Sequence, residues 1–378
     1  MSKNGKALVR SPDFLDSMRN SGDPLADTTI DGILASGGLA EANAALGQLM
    51  RNLFGRFDSV PAYLSKYLDQ CNTLPAWADK SKMHRTQEFF TSQAAIFGIA
   101  LMTQSLPILY AGGKGGSQVL FHTGQLSGHF RRRASQTLRF IMDVMEPGSF
   151  EPMGKGIPAI QKVRLMHAAI RHYARNSPLW IGKTAGWGIP INQEELAGTL
   201  LAFSSMALEA LQKLQVEVSD ADQDCYLHTW KVIGHLLGIE EKMLPVDMAD
   251  ARQLWKQIDA RNFIPTPEGQ KLAVDHLTFL KELIPSRELN GFPNSLMHFL
   301  MGRRISGVIL KLPRPGWTYY LLGMLTAILR LEGRIILSNT RFRKLTSLAG
   351  ILLLESLYKI WNQGDGTPFR IPESMNDR

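Results

Sequence analysis

One histidine, His167, lies between two arginines in the segment KVRLMHAAIRHYAR. On a helix with about 100 degrees per residue, Arg164 and Arg171 flank this histidine on one side. The other flank is apolar and consists of Val163, Ile170 and Ala174. A b-type haem requires this combination of an axial nitrogen ligand, apolar walls and basic groups for its propionates. The same spacing fits a core histidine beside solvent-facing arginines, so both interpretations stay open.

The remaining candidate ligands for a metal or haem are few. His172 follows on the same segment but points away from His167, so the two would not share one iron. The only cysteines, Cys71 and Cys225, are far apart, and no CxxC or CxxCH motif occurs. This pattern predicts neither a zinc site nor a disulfide framework, and any haem would be held without thioether links.

A second segment, GHFRRRASQTLRFIMDVM, places polar residues along one helical face. The face consists of His129, Arg133, Thr137 and Phe140, with Gln136 beside it. A polar strip on an apolar helix has to face water, a partner charge or a cavity. If it covers the open side of a haem, Thr137 and Gln136 would hydrogen-bond dioxygen, and Arg133 would bind a propionate or stabilise an oxygen intermediate. The alternative is an exposed basic turn.

Helical periodicity dominates the chain, and no series of alternating strands is present. Loops rich in glycine and proline separate the helical segments, as in AGGKGGSQ and LKLPRPGW. The predicted fold class is all-α. The predicted helices are 87–109, 126–145, 158–176, 193–214, 222–237, 249–261, 267–284 and 293–310.

The chain has 378 residues, of which 44% are hydrophobic, and a formal charge of +8. We expect a loosely ordered segment at residues 1–40, one α-helical domain at 41–362 and an irregular tail at 363–378. The basic residues are dispersed without a recognition motif, so nucleic acid is not an expected partner.

The expected location is cytoplasmic, because the N-terminal residues lack the apolar core of a signal peptide. No run reaches the roughly 20 apolar residues that span a bilayer. Peripheral membrane contact by the helix LAGILLLESLYKIW stays the lesser alternative to packing against the protein body.

Four stretches in one order resemble the haem b oxygenases that include bacterial latex clearing proteins (rubber oxygenases) and the fungal endoplasmic-reticulum-bound oxygenase of mycophenolic acid biosynthesis. They are FRRRASQTLRF, VRLMHAAIRHYAR, WGIPINQEELAGTLLAFS and YLHTWKVIGHLLGIEEKMLP. A later stretch, SLMHFLMGRRISGVILKLPRP, resembles the family more weakly. The resemblance implies a globin-like helical core with additional surrounding helices. It also implies that dioxygen cleaves a carbon–carbon double bond of a hydrophobic isoprenoid or polyisoprene-like substrate into carbonyl ends.

The resemblance also implies roles for individual residues. His167 matches the family's proximal iron ligand, and Arg164, Arg171 and His172 match residues that accompany it in cofactor binding. Arg133 and Thr137 match the distal arginine and threonine, so the expected catalytic group is Arg133, Gln136 and Thr137.

Two positions depart from the pattern of latex clearing proteins. Gln136 replaces a distal lysine, and the upstream glutamate proposed as a base is missing, because no glutamate occurs between Glu88 and Glu146. A neutral glutamine amide does not ligate iron, so the resting iron would be five-coordinate, water-bound or ligated by another group such as His129. The reaction class is therefore kept while the substrate stays open. A haem-binding sensor or carrier and a non-catalytic helical binding module are the alternatives, and a hydrolase is disfavoured because no GxSxG motif occurs.

Overall fold

The computed structural model describes residues 9–51, 62–122, 130–178, 180–284, 286–324, 326, 350–352 and 354–359. Across these ranges the protein is helical and forms no strand, so the all-α prediction is confirmed. The helices are α1 Pro12–Arg19, α2 Pro24–Arg51, α3 Ala62–Gln70, α4 Lys80–Ser92, α5 Ala94–Ala100, α6 Leu106–Ile108, α7 Gly116–His122, α8 Phe130–Met145, α9 Gly156–Arg175, α10 Thr184–Trp187, α11 Gln193–Phe203, α12 Ser205–Lys213, α13 Asp220–Leu236, α14 Met248–Asn262, α15 Pro267–Glu282 and α16 Phe292–Arg303.

Polar side chains cap the N-termini of several of the long helices. Ser219 accepts a hydrogen bond from a backbone N–H of the first turn of α13, and Asp247 and Thr266 do the same for α14 and α15. Each such cap satisfies a backbone donor that the helix itself leaves unpaired, and typically contributes about 1 kcal/mol. The segment predicted as one helix at 193–214 is two helices, because the backbone leaves helical geometry at Ser204, with φ −103° and ψ −93°.

Helix α9 separates two hydrophobic cores and thereby directs His167. Leu165, Ala168 and Ala169 pack into the smaller core with α2 and α3. Ile160 packs into the larger core, and Met166 and Ile170 line a cavity. The larger core contains residues of α4, α5, α8 and α11 to α16. Burying a leucine such as Leu165 contributes about 1.5–3 kcal/mol, so the packing of α9 fixes which way His167 faces.

The first 40 residues differ from the predicted loosely ordered segment. Leu15 of α1 and Ile30 of α2 are buried, and buried Arg10 forms an ion pair with Asp250 of α14 at 2.9 Å. The Gly-, Ser- and Asp-rich composition misled the prediction because its aspartates are partners for cations far along the chain. Residues 1–8 and the predicted tail at 363–378 lie outside the described residues, and the single domain at 41–362 stays a prediction.

One helical stretch, Ala94–Ala111, is long and apolar enough to cross a membrane, but 72% of it is buried inside the protein. Phe97 within this stretch stacks on Tyr226 of α13, with ring centroids 5.2 Å apart. Such burial among other helices is typical of a core helix.

Candidate functional site

A cavity of about 300 Å³ lies among α7, α8, α9, α11, α13 and α14. Its walls are largely apolar. They include Leu109, Val119, Phe140, Phe203, Trp230 and Trp255. Apolar walls with a few polar groups are typical of a site for a small molecule or cofactor.

His167 of α9 lines this cavity, and its Nδ1 atom is buried without a hydrogen-bond partner among the described residues. Burial lowers the pKa of His167 to about 3, and the positive charges of Arg171 and Arg133 lower it further. The imidazole is therefore neutral at neutral pH and keeps a nitrogen lone pair. A neutral imidazole is the form of histidine that binds iron.

Helix α8 brings Arg133, Gln136 and Thr137 to the same cavity as His167. Burial lowers the pKa of Arg133, and the nearby Tyr110 raises it in part. Within the described part of the chain, no carboxylate forms an ion pair with Arg133, so none of the described carboxylates pairs with its positive charge at the cavity. The structure thus brings together the four residues that the sequence assigned to ligation and to oxygen chemistry. His129, predicted on the same face, lies outside the described residues.

The other three predicted cofactor-binding residues are placed differently, because none of them lines the cavity. Arg164 donates to Asp23 from Nε at 2.6 Å and from Nη2 at 2.7 Å. Arg171 pairs with Asp27 and donates to the carbonyl oxygen of Ile191. The Nδ1 atom of His172 lies 2.7 Å from Asp31 Oδ1.

These contacts form an α2–α9 ion ladder, which consists of Asp23, Asp27 and Asp31 paired with Arg164, Arg171 and His172. The aspartates recur every four residues, with Asp23 just before α2 and Asp27 and Asp31 on one face of its first turns. The described partners of these three side chains are the aspartates at the start of α2 and just before it, and none of the three lines the cavity. Their predicted contact with the cofactor stays a prediction.

The structure adds a polar residue that the sequence reasoning missed. Glu195 of α11 lines the cavity, and its Oε1 atom has no hydrogen-bond partner among the described residues. Burial raises the pKa of Glu195 to about 7 against the lowering effect of Arg19, while Glu194 raises it further. In the sequence, the motif INQEEL indicated only a helix start, and no spacing rule connects Glu195 with His167.

The described residues fit a b-type haem on their own chemistry. His167 provides a neutral imidazole whose Nδ1 atom has no hydrogen-bond partner among the described residues, the walls are largely apolar, and Arg133 provides a partly buried positive charge. No group of three or more His, Cys, Asp or Glu residues in the described ranges could hold a bare metal ion. Haem needs only one such protein ligand, because the porphyrin supplies four nitrogens.

Known proteins resemble this chain in sequence and in fold. The rubber oxygenase of Streptomyces sp. (strain K30) is 28% identical over 272 residues, which cover 69% of this chain and 64% of that relative. The match thus spans a little less than two thirds of the relative's length. A latex clearing protein solved in its closed state superimposes with a TM-score of 0.75 at 23% identity, over 94% of this chain and 95% of that one. This likeness confirms the predicted fold.

A family model described as ER-bound oxygenase mpaB/B'/Rubber oxygenase, catalytic domain, matches residues 87–330. This range is more than half of the chain and contains α8, α9 and α11, the helices that carry Arg133, His167 and Glu195. The motifs quoted above predicted the same family, and that prediction is confirmed. The protein therefore belongs to the family of ER-bound oxygenases and rubber oxygenases.

Proposed function

We propose that this protein is a haem b-dependent oxygenase that cleaves a carbon–carbon double bond of a hydrophobic, isoprenoid or polyisoprene-like substrate with dioxygen. One observation carries the proposal. A neutral histidine and a partly buried arginine, which forms no ion pair among the described residues, line the same largely apolar cavity within the region that matches an oxygenase family.

His167 would hold the haem iron through the ring nitrogen that faces the cavity. When bound, the haem would supply the activation of dioxygen. The Nδ1 atom of His167 has no hydrogen-bond partner among the described residues, so it can carry the ring proton. In that tautomer the lone pair of Nε2 is available to bind iron. Arg133, which has no carboxylate partner among the described residues, would bind an anionic propionate or stabilise negative charge that develops on oxygen.

Thr137 and Gln136 would orient the reactants from the α8 side of the cavity. The hydroxyl of Thr137 and the amide of Gln136 are neutral donors that hydrogen-bond oxygen without adding charge. The aromatic and aliphatic walls would exclude water and bind an alkene by burying its apolar surface. A branched isoprenoid chain has no polar group for such walls to satisfy, which favours this substrate class.

The α2–α9 ion ladder would serve the site indirectly. Arg164 and Arg171 tie the two ends of the His167 turn to α2. These ion pairs would fix the rotation of α9 about its own axis and its position along that axis. The position of the imidazole depends on both. We assign Arg164, Arg171 and His172 positioning roles.

The proposal is tested by incubating haem-loaded protein with polyisoprene latex and with squalene, in air and under nitrogen. We expect new aldehyde and ketone ends in air, with one dioxygen consumed for each double bond cleaved, and none under nitrogen. Haem-loaded protein that consumes no dioxygen with either alkene would overturn the oxygenase assignment and favour a haem sensor or carrier.

A further inference from the structure

Glu195 is the only carboxylate that lines the cavity within the described part of the chain. The other charged residues of the lining are Lys114, Arg133 and His167. None of these side chains has a carboxyl group: Lys114 and Arg133 are cations, and His167 is a neutral imidazole. The cavity therefore contains one group that can be a carboxylic acid.

The glycine loop at 112–115, between α6 and α7, brings the protein backbone close to this carboxyl. Gly115 has φ +111°, and a Cβ atom at this position would clash with Oε1 of Glu195. The loop is anchored at its other side by an isolated bridge between Gly112 and Phe263. The absence of a side chain at Gly115 thus allows the carboxyl to reach the cavity beneath the loop.

The charges around Glu195 leave its carboxyl poorly compensated. The nearest cation is Arg19 of α1, whose Nη2 lies 3.8 Å from Oε1. That guanidinium also pairs with Glu194 at 3.0 Å and donates to the carbonyl oxygens of Lys114 and Trp187. Arg261 of α14 contacts Glu194 at 2.8 Å and forms no ion pair with Glu195. Two carboxylates therefore compete for Arg19, and Glu194 has the closer contact and a second cation.

We propose that Glu195 is the proton-exchange residue of the cavity. It would donate the proton of its carboxylic acid to an oxygen atom that derives from dioxygen as the double bond is attacked. The acid O–H bond breaks as the new O–H bond forms, which leaves the Glu195 carboxylate. Return of the same proton restores the acid as the two carbonyl products form. An alkene and dioxygen contain all the atoms and electrons of two carbonyl ends, so no further reductant is needed.

This role rests on the proposed oxygenase function and extends it to a residue on a different helix from the expected base. A purely structural role makes a different prediction. The backbone N–H of Glu195 donates to the N-cap residue Asn192 at 3.0 Å, and its carboxyl lies near the backbone N–H of Ile191, as in a capping box. Glutamine at this position would keep the cap and remove the acid.

The first test follows the protonation of Glu195 in the purified protein by infrared spectroscopy, across about pH 5 to 9. We expect a carboxylic-acid carbonyl band that disappears near pH 7 and is absent from E195Q. The control E209Q changes an exposed glutamate of α12 and should retain the band. Identical spectra of wild type and E195Q would overturn the proposal, and this result does not depend on any oxygenase activity.

The second test compares turnover by haem-loaded wild type, E195Q and E195D. We expect the wild-type rate to fall as the pH rises through about 7, and we call this fall the pH limb. E195Q should lose about 10²- to 10⁴-fold in rate and should no longer show the limb. E195D keeps an acid and should retain the limb at a reduced rate. E195Q with the wild-type rate and pH profile would overturn the catalytic role. If wild type cleaves no alkene, the oxygenase proposal fails, and the infrared result alone decides whether Glu195 holds the proton.

Discussion

Breaking the first pair of the α2–α9 ion ladder should destabilise the protein more than breaking an exposed pair. The side chains of Arg164 and Asp23 are only 12% and 4% exposed. Asp23→Asn leaves the guanidinium of Arg164 buried without a counter-charge, and the loss of one partner from such a pair costs about 3–5 kcal/mol. The exposed pair of Lys80 and Glu151, at 60% and 55%, should cost about 0–1 kcal/mol when Glu151→Gln removes its charge.

Urea unfolding of the four proteins of a double-mutant cycle, with Asp23→Asn and Arg164→Met alone and together, measures the coupling directly. The double variant should lose less unfolding free energy than the sum of the two single losses. Haem content per folded chain should stay near that of wild type, because neither residue lines the cavity. An Arg164→Met variant of unchanged stability that loses its haem would refute the ladder and favour direct cofactor contact.

Three further predictions concern the cavity. Thr137→Val should retain haem and alter oxygen binding or turnover, measured by absorption spectra and dioxygen uptake, because only the hydroxyl is lost; unchanged turnover would argue against a role for Thr137. Gly115→Ala should lower the free energy of unfolding by about 1–3 kcal/mol, measured in urea, because φ is +111° and the new Cβ meets Glu195; full stability would contradict the close approach. The haem-free protein should lose stability as the pH falls from about 6.5 toward about 3, because the unfolded chain binds a proton at His167 that the folded chain excludes. His167→Gln should flatten this part of the plot of unfolding free energy, measured in urea, against pH. An unchanged plot would contradict the buried neutral imidazole.

The sequence was informative where local periodicity decides the structure. The α8 and α9 helices, and the placement of Arg133, Thr137 and His167 on one cavity, follow from helical spacing together with the family motifs. Such spacing shows which residues share a face of one helix. It does not show which other helix lies opposite that face.

The features that the sequence did not show depend on contacts between distant parts of the chain. Arg164 finds its counter-charge 141 residues away, at Asp23, in a segment whose composition indicated loose structure. Glu195 enters the site because α11 and the loop at Gly115 converge on the cavity. Neither relation leaves a pattern in the local sequence, since both depend on the packing of helices that are far apart in the chain.

The central claim is that His167 holds a haem, and an absorption spectrum tests it most directly. Purified, haem-supplemented wild type should show a Soret band and a pyridine haemochrome of b type, with one haem per chain. His167→Ala should lose most of this haem, whereas His84→Ala, at an exposed histidine of α4, should keep it. Full haem in His167→Ala, or no Soret band in the reconstituted wild type, would contradict the account.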